Sequence, residues 1–117
     1  IDNDPLCIFC KIISGKAPGR KLYQDELVTA FRDKNPVAPT HVLIVPNTHI
    51  ATLNEIEPKD EHILGRLFTV ARAIAVEEAV DQSGFRLILN TGYDGGQVIF
   101  HLHLHLIGGR PMNYPIG

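Results

Sequence analysis

The chain has 117 residues, 44% of them hydrophobic, which is enough apolar material for one packed core and excludes a disordered polymer. Eleven Lys and Arg against thirteen Asp and Glu leave a formal charge of −2, which argues against nucleic acid or an anionic membrane as a partner. A small phosphate pocket made of backbone N–H groups and neutral imidazoles stays open. No apolar run approaches the ~18–20 residues of a membrane span. The N-terminal "IDNDPLCIFCKIISG" has no basic region ahead of its apolar stretch, so no signal peptide is expected. Two cysteines are too few for a disulfide scaffold. A single cytoplasmic domain over 1–117 is the expectation.

In chain order, "DPLCIFCKIISGKAPG" predicts a short helix. Pro5 suits its first turn, Gly15 its stop, and Leu6, Ile8, Phe9, Ile12 and Ile13 give an apolar stripe. "KLYQDE" and "LVTAFRD" predict a hairpin, 21–24 with 27–32, around Asp25-Glu26. "KNPVAPT" is a loop, broken by Pro36 and Pro39, and "HVLIVP" predicts a buried strand at 41–45. "EPKDEHILGRLFTVARAIAVEEAV" predicts the one long helix, with Pro58 near its start. Ile63, Leu64, Leu67, Val70, Ala71, Ile74 and Ala75 recur there at helical spacing. "FRLILN" predicts a strand at 85–90, "TGYDGGQ" a glycine-rich loop, and "VIFHLHLHLIGG" a last strand. One long helix among hairpin-like strands predicts an α+β fold, an antiparallel sheet with helices packed on it.

Half of the six histidines, His101, His103 and His105, lie on that last strand, each separated by one leucine. Side chains on a strand alternate between faces. The period of two therefore puts three imidazoles on one face, about 6.6 Å apart, and Phe100, Leu102, Leu104 and Leu106 on the other. Three such rings suit a metal site. They equally suit nucleophilic catalysis at phosphorus, where one neutral imidazole attacks and its neighbours hold phosphate oxygens. No Asp or Glu lies within 98–107 to complete a usual metallohydrolase set. The preceding "NTGYDGGQ" favours an anion, since Gly92, Gly95 and Gly96 let backbone approach a ligand closely.

"HLHLHLI" resembles the alternating signature of the histidine triad superfamily. "YQDELVTAFRDKNPVAPTHVLIVPNTHI", "LILNTGYDGGQ" and "HLHLHLIGGRPM" resemble its Hint branch, the purine nucleoside phosphoramidases, in matching order from about Cys7 to Met112. The resemblance implies a five-stranded antiparallel sheet with one long and one short helix. It also implies a homodimer with a continuous ten-stranded sheet, and a purine nucleotide cleaved at its α-phosphorus. His103 would be the nucleophile, forming a nucleotidyl-histidine that water hydrolyses, and His105 would bind phosphate. His101 and His41 would join the surrounding hydrogen-bond network. Asn90 and the backbone of Gly96, Gln97 and Val98 would hold phosphate oxygens, and Asp33 the ribose hydroxyls. Ile8, Phe9, Ile12, Phe31 and Leu43 would sandwich the base.

Three positions depart from that pattern. Val98 replaces a serine, so leaving-group assistance would weaken or come from Gln97. Lys34 replaces an isoleucine of the base pocket. Tyr114 stands where related tails carry tryptophan.

Cys7 and Cys10 have the spacing of a zinc half-site, with a redox pair or two small buried hydrophobes as the alternatives. The resemblance implies a structural zinc completed by His49 and His101, with no cofactor needed for catalysis. Rival functions are a dinucleoside polyphosphate hydrolase, a nucleotide-binding regulatory module with residual catalysis, and a metal-dependent hydrolase.

Overall fold

The central strands carry apolar residues on both faces, so the sheet they form must be covered on both sides. In a computed structural model, residues 4–113 are described; Tyr114 lies outside them. Helix α1 spans Ile8–Ser14 and α2 spans Glu61–Glu77; the strands are β1 (Lys21–Gln24), β2 (Val28–Arg32), β3 (Thr40–Pro46), β4 (Phe85–Ile88) and β5 (Leu104–Gly108). All neighbours pair antiparallel, as expected, and the strand order is β1-β2-β3-β5-β4.

Alternation sorts the two faces. Val28, Ala30, Val42, Ile44, Leu104 and Leu106 pack against Ile63, Leu67, Val70, Ala71, Ile74 and Ala75 of α2. Phe31, Leu43 and Val45 on the opposite face meet Phe9 and Ile12 of α1. Helix α1 stops at Gly15, whose φ of 82° is left-handed. The Gly15 N–H donates to Ile12 O and the Lys16 N–H to Lys11 O, which satisfies two orphan carbonyls. Pro5 and Leu6 precede the helix rather than joining it, because Cys7 is its N-cap; Leu6 is exposed. Ahead of α2, Pro58–Asp60 form a 3₁₀ turn. Beyond its C-terminus, Glu78 accepts both Arg32 guanidinium donors at 2.9 and 2.8 Å, tying the helix end to β2.

The last strand is shorter than the predicted 98–109. The β3–β5 ladder ends at the pair Ile44↔Leu104. Pro46, two residues further along β3, has no N–H to continue it. The preceding segment bonds to the loop after β3 instead, with the Leu102 N–H donating to Ile50 O at 2.7 Å. His101 and His103 thus lie before the strand, and Phe100 is half-exposed instead of buried in the core. The alternation still holds from 101 to 106: Leu102, Leu104 and Leu106 are buried in the α2 core, while the histidines turn to the α1 face.

Candidate active site

Every histidine of the row has a ring nitrogen whose partner fixes the proton. Carbonyls only accept, so His103 Nδ1 must donate to the His101 carbonyl, 2.8 Å away. The neutral ring then bears its lone pair on Nε2. His101 Nε2 likewise donates to Pro46 O at 2.8 Å, leaving its Nδ1 as the lone-pair atom. The third case runs through His41 on β3. The backbone N–H of Val37 donates to His41 Nδ1 at 3.1 Å, so the proton of that ring sits on Nε2. His41 Nε2 donates to His105 Nδ1 at 3.0 Å, which leaves His105 with an Nε2–H. One ring thus offers a nucleophilic nitrogen and its neighbour, 4.9 Å away between centroids, an N–H donor.

Burial keeps these rings neutral. It pushes His101 and His105 down to about 4, helped by neighbouring imidazoles, and lowers His103 and His41 from 6.5 as well. The Asp33 carboxylate, 3.4 Å from His41 Nε2, works against the shift at His41 but does not reverse it.

His101 faces a different centre. Its Nδ1 lies 3.4 Å from Cys7 Sγ, 3.6 Å from Cys10 Sγ and 3.2 Å from His49 Nδ1; Cys10 Sγ is 3.4 Å from His49 Nδ1. Zinc bonds of about 2.0–2.1 Å to nitrogen and 2.3 Å to sulfur imply tetrahedral edges of roughly 3.3–3.8 Å. The donors and their spacing therefore fit that ion. Asp33, His41 and His105 also approach one another. That group is a poor metal site, because the Val37 N–H forces the proton onto the His41 nitrogen that would have to ligate.

Beside the histidines opens a cavity of about 570 Å³. Ile8, Phe9 and Ile12 from α1 meet Phe31, Leu43, Asp33 and His41 from the sheet side, all seven in the lining. Phe9 joins cavity and row, edge-on to Phe31, His101 and His103 at centroid distances of 5.3, 5.8 and 5.2 Å. The glycine loop follows β4. Gln97 is buried; its Nε2 donates to Ala51 O and Ile99 O and its Oε1 accepts from the Gly92 N–H. Asn90 Nδ2 donates to Gly95 O at 2.7 Å. A Cβ on Gly95 would collide with the Thr91 carbonyl.

The HIT domain model matches residues 14–112. The chain is 52% identical over 105 residues to the purine nucleoside phosphoramidase of Escherichia coli (strain K12), covering 90% of this chain and 88% of that one. The chain belongs to the HIT family. It is 44% identical over 119 residues to the 14 kDa zinc-binding protein of Zea mays, covering 100% of this chain and 91% of the relative. A histidine triad protein from Clostridium difficile superposes with a TM-score of 0.92 at 46% identity, over 96% and 98% of the two chains. A HIT family hydrolase from Legionella pneumophila Philadelphia 1 gives 0.91 at 43%, over 95% and 99%.

Within this HIT-family enzyme, two expectations for the glycine loop change. The backbone donors of Gly96 and Gln97 are spent inside the loop, on Tyr93 O and Gly92 O at 3.0 Å each. Of the three proposed phosphate-holding N–H groups, only that of Val98 has no partner among the described residues. The Gln97 side chain is fully committed to holding the loop, so it has no N–H left to help a leaving group. The Val98 side chain is exposed. Sequence reading missed Val37 and Pro46, which act through a backbone N–H and a backbone carbonyl rather than through their side chains. It also missed Ala17, Pro18, Asn35 and Ile99 in the cavity lining. Proximity of the "KAPG" segment to the first helix was the only signal for the first two.

Proposed function

We propose that the chain is a nucleotide hydrolase or transferase that cleaves purine nucleoside 5′-phosphoramidates, or related nucleotidyl conjugates, at the α-phosphorus. The observation that carries this is the bond from His103 Nδ1 to the His101 carbonyl, which commits the Nε2 lone pair of a buried, neutral ring to attack. His103 Nε2 bonds to phosphorus as the P–N bond breaks, and the departing amine takes up a proton from solvent. Water then cleaves the nucleotidyl-histidine. His105 Nε2–H donates to a phosphate oxygen, where negative charge grows in the transition state. The N–H of Val98 and the second N–H of Asn90 are the further donors. Asp33 accepts from the ribose hydroxyls, and the apolar cavity takes the base.

The Cys7, Cys10, His49 and His101 cluster would hold a structural zinc. Four protein donors leave no open position, so the ion contributes stability and no catalysis. The 14 kDa zinc-binding relative and the tetrahedral spacing support this part of the reading. Two free thiols so placed suit a reducing, cytoplasmic setting, and no described helix is long and apolar enough to cross a membrane. A homodimer also belongs to the reading. It is supported by the edge strand β4 and the exposed Phe68 and Val76 on α2, which a second copy would cover.

The test is turnover of an adenosine 5′-phosphoramidate by wild type and His103→Ala, with and without a chelator. Activity that survives brief chelation and disappears in the variant is the expected result. Loss of turnover on chelation with the fold retained would favour a metal-dependent hydrolase. Nucleotide binding without turnover would favour a regulatory module.

A further inference from the structure

The cavity is apolar on most sides, with Phe9, Ile12, Phe31, Leu43 and Ile99 in its walls. Such a slot accepts the flat face of any base and cannot by itself tell one purine from another. Discrimination needs polar groups at the base edge. Asp33, Lys34, Asn35 and His41 are the polar residues in the lining. Asp33 and His41 are already engaged. Asp33 Oδ1 accepts from the Asn35 N–H at 2.8 Å and its Oδ2 lies 3.4 Å from His41 Nε2. His41 is in turn bonded to His105.

Lys34 is different. It sits in the middle of the turn closed by the Asp33–Asn35 bond, and its ammonium makes no ion pair or hydrogen bond among the described residues. It lines the same cavity as Phe31 and Leu43, whereas His103, His105 and the glycine loop do not line it. That places Lys34 at the base end rather than the phosphate end. An ammonium only donates. Guanine presents two acceptors along one edge, N7 and O6, while adenine presents N7 beside an amino donor.

We propose that Lys34 reads the base and selects guanine over adenine. This inference rests on the nucleotide reading of the site. Lys34 is exposed, so the selection is modest, about five- to tenfold, below what a fully buried bidentate contact gives.

The test compares guanosine and adenosine 5′-phosphoramidates of the same amine, in wild type, Lys34→Met and Lys34→Gln. Wild type should favour the guanosine substrate in kcat/KM, through KM. Lys34→Met should bring the ratio to within about twofold of one. Lys34→Gln, whose amide can both donate and accept, should move the preference toward adenosine. A change in packing alone would not reverse the order. Equal use of both substrates by wild type, or an unchanged ratio in Lys34→Met, would overturn the role of Lys34 and leave the nucleotide site standing. Failure of wild type to turn over either substrate or to bind GMP or AMP would overturn the nucleotide reading, and this inference with it.

Discussion

Replacing His41 with phenylalanine keeps a ring in the buried place but removes both its nitrogens. The Val37 N–H loses its acceptor and His105 Nδ1 loses its donor. Nothing then prevents His105 from carrying its proton on Nδ1 and turning a lone pair toward the phosphate. A hydrogen bond of this kind contributes about 0.5–1.5 kcal/mol, and an unsatisfied buried partner costs about 1–3 kcal/mol. A value where the two ranges overlap, about 1.4 kcal/mol, is a tenfold effect on an equilibrium or a rate. The expected result is a kcat lower by about tenfold with little change in KM, since His41 is one of many groups around the cavity. Nitrogen-15 shifts of the imidazoles provide the independent check. Wild-type His105 should show a protonated Nε2 and an unprotonated Nδ1, and the variant a mixture. A kcat within twofold of wild type, or a wild-type His105 protonated on Nδ1, would refute the relay.

Other outcomes follow from the burial of the rings and from the Cys/His cluster. Burial disfavours the imidazolium form of His103 and His105, so activity is present above their lowered pKa values and lost as pH falls through them. The acid limb of kcat/KM should have its midpoint below the 6.5 of a free imidazole, and a midpoint at or above that value would contradict the burial argument. In the same window, from 6.5 down to about 4, the unfolded chain binds more protons at His105, so stability should also decline with falling pH. Prolonged chelation should loosen α1, because Cys7 and Cys10 flank the cavity residues Ile8 and Phe9. Zinc at 100 times its Kd adds about 2.7 kcal/mol, roughly 10–15 °C in Tm for a domain of this size. Nucleotide KM should rise on its removal, and an unchanged Tm would count against a structural ion.

Much of the site could be read from residue spacing, because alternation is a local property of extended backbone. "HLHLHL" alone placed three imidazoles opposite three leucines, and that survives even where the segment leaves the ladder. The glycine pattern marked the loop, and the pairing of Cys7 with Cys10 marked a candidate ligand set. The strand's true start at Leu104 was not legible, because it depends on Pro46, a residue 58 positions away in the chain. A separation of 55 positions likewise hid the Pro46 carbonyl as the partner of His101.

The sequence by itself determined which residue types were available and on which face each would stand. Only the tertiary structure decided what each imidazole does, because a ring's function turns on which nitrogen carries the proton. That choice is made by carbonyls and N–H groups brought from elsewhere: His101 O for His103, Pro46 O for His101, and the Val37 N–H, through His41, for His105. Backbone carbonyls are the same in every residue, and N–H groups in every residue but proline, so their assignments appear only when the chain has folded around them.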